Sequence, residues 1–270
     1  MVRTSASVQY MHAEICLLSP CCVGPMRDDE IVKQAADNNA LWCDAICAAH
    51  RGAGEFHETY WLTRLGAPAR YPDMVTLTGP SGAGEQIAAI SALIQRPRLG
   101  GWSVKDCFHS LDLQVLGFER LFDAEWLSAT SSMDHGRPAT ADPRWTRIDV
   151  ESDLVRWEQA WAGANDGAEE GRTFMPGLLS APDIHIMSAR IGGALVGGGV
   201  LNAGAGVLGF SNLFASGFDL EAIWRGLARA ARGAFPQLPF VAYERGEALA
   251  AAHRAGFVAK GPLRIWRRVG

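Results

Sequence analysis

The chain has 270 residues, nearly half of them apolar and a fifth charged, with a formal net charge of −4. This is the composition of a globular protein of one large or two small domains, and a charge of that sign gives no field for capturing nucleic acid. No apolar run reaches the roughly 18–20 residues that cross a bilayer, so no membrane partner is expected.

Residues 1–25 include an apolar stretch, 15–24, with only Arg3 before it and no small-x-small cleavage site after it. The expectation is a disordered leader and a cytoplasmic protein. Cys16, Cys21, Cys22, Cys43, Cys47 and Cys107 form no CxxC pair and have no histidine at zinc-finger spacing, so they read as reduced thiols and no metal is expected. A helix is expected over 28–50, where Ile31, Ala35, Leu41 and Ala45 recur near the 3.6-residue period, with Gly52 and Gly54 ending it. Strands follow near 59–63 and over 74–78, and a helix over 85–95 closed by Pro97.

Between that strand and helix, Gly79 to Gln86 has the glycine frame of a Walker phosphate loop. Glu85 stands where the lysine belongs and Gln86 where the magnesium-binding hydroxyl belongs, and a carboxylate repels phosphate. The segment therefore reads as a strand-to-helix turn. A strand from Gly101, a short helix over about 110–116, Gly117-Phe118 and a strand over 119–127 complete the first series. Residues 128–144 have linker composition.

A second series begins at Trp145: a strand over 145–150, then a helix over 151–162 that Asp149 or Ser152 can cap. A polar loop leads to three strands over 184–190, 194–201 and 207–214 joined by glycine-rich turns, which read as a meander. A helix over 219–234 with Asp219 as N-cap, a strand over 240–243, a helix over 248–255 and a strand over 257–267 finish the chain. The two series share a pattern: Val104, helix, Gly117-Phe118, strand, Trp126 in one, and Val241, helix, Gly256-Phe257, strand, Trp266 in the other. An internal repeat is expected, with the two half-cores sharing a sheet edge.

The order of elements from Trp145 resembles that of the GNAT N-acetyltransferase superfamily, and Ala248 to Phe257 resembles the family's A-x-x-L-Y-x-x-x-G-F helix ending. The resemblance covers about 145–268, with a weaker half-copy over about 74–127. It implies an α/β (α+β) fold, a GNAT-like mixed sheet flanked by helices. The organisation expected is an incomplete GNAT-like unit over 26–127, a linker over 128–144 and a GNAT-like domain over 145–270.

It also implies acetyl-CoA as co-substrate, with backbone contacts from the fourth strand at Leu213, Phe214 and Ala215. The family's phosphate loop, [QR]-x-x-G-x-[GA], is altered here to Asp219, Ala222 and Trp224. The helix amides at Ala222 and Ile223 remain as expected phosphate donors. Ala252 replaces the family's tyrosine acid, so Glu244 as base and Tyr243 beside it are the catalytic candidates, with His253 and His185 weighed against ordinary packing. Trp157, Trp161 and Trp224 read as core. The leading function is acetyl transfer to an amine acceptor by a chain that can pair as a homodimer. The alternative is a non-catalytic small-molecule-binding or interaction module on the same fold.

Overall fold

The computed structural model describes residues 27–50, 52–96, 100–130, 142–165 and 171–269. The expected leader, with its three cysteines, and residues 131–141 of the expected linker lie outside the described residues. Helix α1 (Asp28–His50) opens with Asp28, Asp29 and Glu30, charges that suit a helix N-terminus. Its buried stripe runs through Ile31, Ala35, Asn38, Asn39, Trp42, Cys43 and Ile46, whereas Leu41, expected on the apolar face, is 43% exposed. Two asparagines occupy the stripe in its place, and both make hydrogen bonds there.

The remaining elements are β1 (Glu55–Phe56), β2 (Tyr60–Leu62), β3 (Met74–Thr76), α2 (Ala83–Ile94), β4 (Trp102–Asp106), β5 (Glu119–Ala129), β6 (Arg144–Arg147), α3 (Glu151–Ala164), β7 (Ile184–Ile191), β8 (Ala194–Gly204), β9 (Val207–Ala215), α4 (Leu220–Ala234), β10 (Phe240–Glu244), α5 (Gly246–Arg254) and β11 (Val258–Arg268). Among the described residues they form one eleven-stranded sheet, ordered β1-β2-β3-β4-β11-β5-β10-β9-β8-β7-β6. The β3–β4 and β9–β10 pairs are parallel and the others antiparallel. Side chains alternate between the two faces. Trp126 and Val241 join the core under α1 and α3, while Leu127 and Ala242 join the core under α4 and α5. Helix α2 lies on the latter face, over Met74, Val104 and Trp266.

The centre of the sheet is interlocked. Strand β5, from the first series, lies between β10 and β11, and β11, from the second, lies between β4 and β5. The Gly-Phe part of the repeat corresponds in both halves: Gly117 and Gly256 have left-handed backbones, with φ of 77° and 99°, and Phe118 and Phe257 are buried. The flanking matches do not correspond. Val104 and Val241 fall on opposite faces, as do Trp126 and Trp266. A one-residue offset inverts a strand, and the β5–β11 pair carries two register shifts, one with the extra residue on each strand. The pairing register instead sets Lys105 against Val241, each the last residue of its parallel pair.

Two local expectations are corrected. The helix expected over 110–116 shrinks to a 3₁₀ turn, Gln114–Leu116, because the Asp106 carboxylate takes the amides of Ser110 and Leu111 at 3.1 and 2.9 Å. Neither Asp149 nor Ser152 caps α3: Val150 holds that position with no side-chain bond, and Asp149 lies 3.5 Å from Arg147. The Walker-like segment is a 3₁₀ turn, Pro80–Gly82, that runs into the first turn of α2. Glu85 accepts the Thr59 hydroxyl at 2.9 Å, and Gln86 donates to the carbonyls of Thr59 and Thr78 at 2.9 and 2.8 Å.

Candidate functional site

The two parallel pairs end differently. β10 pairs with β9 only at Phe240–Leu208 and Val241–Gly209, and beyond those residues the strands part. β9 is also bulged on its other edge. Between Gly198–Phe214 and Val200–Ser211 the register shifts, and Asn212 takes a left-handed backbone with φ of 55°. A bulge of this kind re-aims backbone groups, and here Asn212 is secured by the Tyr71 hydroxyl, which donates to its Oδ1 at 3.1 Å. β3 and β4 begin to part in the same way, but the Thr76 hydroxyl accepts the Cys107 amide at 2.9 Å and bridges them. One gap is open and the other is tied shut.

The open gap leads into a cavity of about 980 Å³, lined from both halves of the chain. Leu213, Phe214 and Ala215, expected as backbone contacts, line it, and so do Tyr243 and Glu244, expected as catalytic groups. Tyr243 packs edge-on against Trp126 at 5.5 Å. Glu244 is half-buried, and withdrawal from water pushes its carboxyl up from 4.5 to about 8, against the pull of Arg245. Arg245 itself lies over the Phe122 ring at 4.3 Å.

Ala222 and Ile223 are not brought to the cavity lining. The Ala222 amide donates to the Asp219 carboxylate at 2.8 Å and the Ile223 amide to the Asp219 carbonyl at 3.1 Å, so Asp219 acts as the N-cap expected of it. Glu221 adds a second carboxylate to this first turn and pairs with Arg225 and Arg254. For acetyl-CoA the residues present fit unevenly. The unpaired edge of β9 can receive an amide-bearing arm, while the start of α4 presents carboxylates where a pyrophosphate would need donors.

Trp161 reaches the cavity, with the Arg70 guanidinium 5.4 Å from its ring, but Trp157 and Trp224 are core. His185 faces Phe235 on β7, its pKa lowered by burial and then by Arg147, and His253 bonds the Phe257 carbonyl at 3.0 Å. Neither lines the cavity. Cys43 does, as a buried thiol pushed up to about 11 by burial, which makes it a poor nucleophile. Among the described residues no cluster of His, Cys, Asp or Glu is set to hold a metal ion, and no helix is long and apolar enough to cross a membrane.

Sequence reasoning missed Lys105, Asn39, Tyr71 and Asn212, all of which line the cavity. For Lys105 a signal was present: a lysine between the uncharged run Trp102 to Val104 and Asp106, in a strand whose neighbours are buried.

No family model matches the sequence, and no curated protein matches it. Solved structures do. A GCN5-related N-acetyltransferase from Kribbella flavida is similar with a TM-score of 0.58 at 12% identity, over 91% of this chain and 97% of that one. A conserved protein of unknown function from Staphylococcus epidermidis is similar with a TM-score of 0.56 at 12% identity, over 79% of this chain and 92% of that one. At such identity the likeness concerns fold and not the roles of residues. The mixed sheet, its flanking helices and the Kribbella neighbour agree: the chain carries the GNAT fold.

Proposed function

We propose that the chain transfers an acetyl group from acetyl-CoA to an amine, and that it does so in the cavity at the open β9–β10 gap. The observation that carries this reading is a half-buried carboxylate, Glu244, at the mouth of a gap whose other edge is the unpaired, bulged backbone of β9. We propose further that residues 26–127 are an incomplete GNAT-like unit whose role is to wall this cavity, since Tyr71, Lys105 and Phe122 line it.

Acetyl-CoA supplies a thioester, so that a carbon–nitrogen bond to the amine forms as the carbon–sulfur bond breaks. Glu244 takes the proton that the amine must lose, and its raised pKa sets the pH at which it can do so. Tyr243 holds the hydroxyl available to the departing sulfur, in the absence of the family's tyrosine at Ala252, a buried residue of α5. Neighbours on a strand point to opposite faces, so base and acid approach the gap from its two sides.

Acetyl-CoA that binds only the folded chain raises its melting temperature by mass action. A shift is expected at millimolar acetyl-CoA, and Glu244→Gln is expected to keep that shift while turnover falls about 10²–10⁴-fold. Unchanged turnover removes Glu244 from the mechanism. A second reading, a non-catalytic binding module, is supported by Asp219 and Glu221 at the start of α4. The absence of any shift with acetyl-CoA decides for it.

A further inference from the structure

Lys105 is a buried cation in the cavity wall for which the described residues supply no counter-ion. It is only 2% exposed, and it lines the cavity together with Asn39, Cys43 and Tyr243. Its Nζ donates to Asn39 Oδ1 at 2.7 Å and lies 4.1 Å from the centroid of the Tyr243 ring. Among the described residues no carboxylate forms an ion pair with it. Asp106, the next residue, points to the other face and gives both oxygens to the amides of Ser110 and Leu111. Asp73 gives its oxygens to the amides of Ala67 and Ser103.

Burying an ammonium without an anion is costly, and a neutral donor would satisfy Asn39 equally well. Burial works against the charge, yet Tyr243, Cys43 and Cys107 hold the pKa of Lys105 above the ordinary lysine value. The same position in the second half is Val241, so the fold does not require a lysine there.

We infer that Lys105 anchors a carboxylate on the amine acceptor, which makes the acceptor an amino acid or a close relative and not a simple amine. This rests on the acetyl-transfer reading for the word acceptor. A single ammonium beside one amide oxygen suits a monoanion; a phosphate calls for more donors, such as a guanidinium fork or a nest of amides. The charge also stands on the β10 side of the gap, beside Tyr243. Strand β4 is separated from β10 by β11 and β5, and the Lys105 side chain reaches back over them to Tyr243. The expected acetyl-CoA contacts, Leu213 to Ala215, lie across the gap.

The test uses the full chain and the twenty amino acids, each compared with its own carboxamide, which lacks the negative charge. Thiol release from acetyl-CoA is measured for both series in the wild type, Lys105→Gln and Lys105→Met. Gln keeps a donor for Asn39, so it separates tethering of α1 from anion binding, and each variant's melting temperature reports folding. At least one acid is expected to be turned over tenfold or more faster than its amide. Both variants are expected to lose that preference through a KM raised at least tenfold, with the acetyl-CoA melting shift unchanged. Amides that match their acids, a preference that survives Lys105→Gln, or no acid turned over would each overturn the inference. If acetyl-CoA gives no shift with the wild type, the acetyl-transfer reading fails on its own. The melting shifts produced by the same acids and amides alone then decide for Lys105: an acid-selective shift lost in Lys105→Gln sustains the anchor, and none overturns it.

Discussion

Glu244 shows how one buried carboxyl ties activity to stability. Its pKa is about 8 in the folded chain and 4.5 as an ordinary side chain. Between those values the folded state holds a proton that the unfolded chain has released, so its contribution to stability falls as pH rises and levels off above about 8. Relative to Glu244→Gln, the wild type should lose melting temperature between pH 5 and 8, and parallel curves would remove Glu244 from that balance. Turnover should run the other way. It should rise with pH and reach half its maximum near pH 8, where the carboxylate forms, and a flat profile would show that another group takes the proton. The sequence placed Glu244 at a strand end as a candidate base, but its raised pKa was not visible there. What raises its pKa is burial, and burial here depends on segments far away in the chain.

At the scale of elements, the helices and strands with strong periods were legible and the exceptions were made by side chains that compete for backbone groups. The carboxylate of Asp106 captured two amides and cut a helix down to a turn. Asn38 is a comparable case on α1. It looks like a break in an apolar stripe, but its amide donates to the carbonyls of Asn202 and Gly204 at 3.0 and 3.1 Å. Asn202 answers by donating to Asn38 Oδ1 at 2.8 Å. The pair fixes α1 over β8 and β9 close to the gap. Asn38→Ala should cost about 1–3 kcal/mol in urea unfolding, because it strands buried polar groups. A loss well under that would show that water replaces the bond. The start of α4 offers a sharper test of the phosphate end. Asp219→Asn keeps the capping oxygen and removes the charge, so helix stability should hardly change. Acetyl-CoA affinity should rise, and an unchanged Kd would place the phosphates elsewhere.

For the whole molecule, the sequence pattern showed two similar series but not how they join. Strand order is a long-range property, and a lysine on β4 meeting a tyrosine on β10 depends on two intervening strands that come one from each half. This is why the backbone candidates on β9 could be named in advance, whereas the sequence showed Lys105 only as a lysine beside an uncharged run, with no hint of its partner on β10. The interlocked centre also predicts that residues 145–270 do not fold by themselves. They would lose β5 beside β10, and both neighbours of β11. The fragment should give no cooperative melting transition by circular dichroism, and co-expression with residues 1–144 should restore one. A cooperatively folded fragment would refute the dependence. The same interlock governs the order of events during synthesis. Strands β4 and β5 are made early, yet the strand that fills the space between them, β11, is made more than a hundred residues later. Until then the nascent chain carries two unpaired sheet edges, and its slowest step must be the closure of contacts between residues more than a hundred positions apart. A chain arranged in this way stays exposed to aggregation until β11 has been made and seated between β4 and β5.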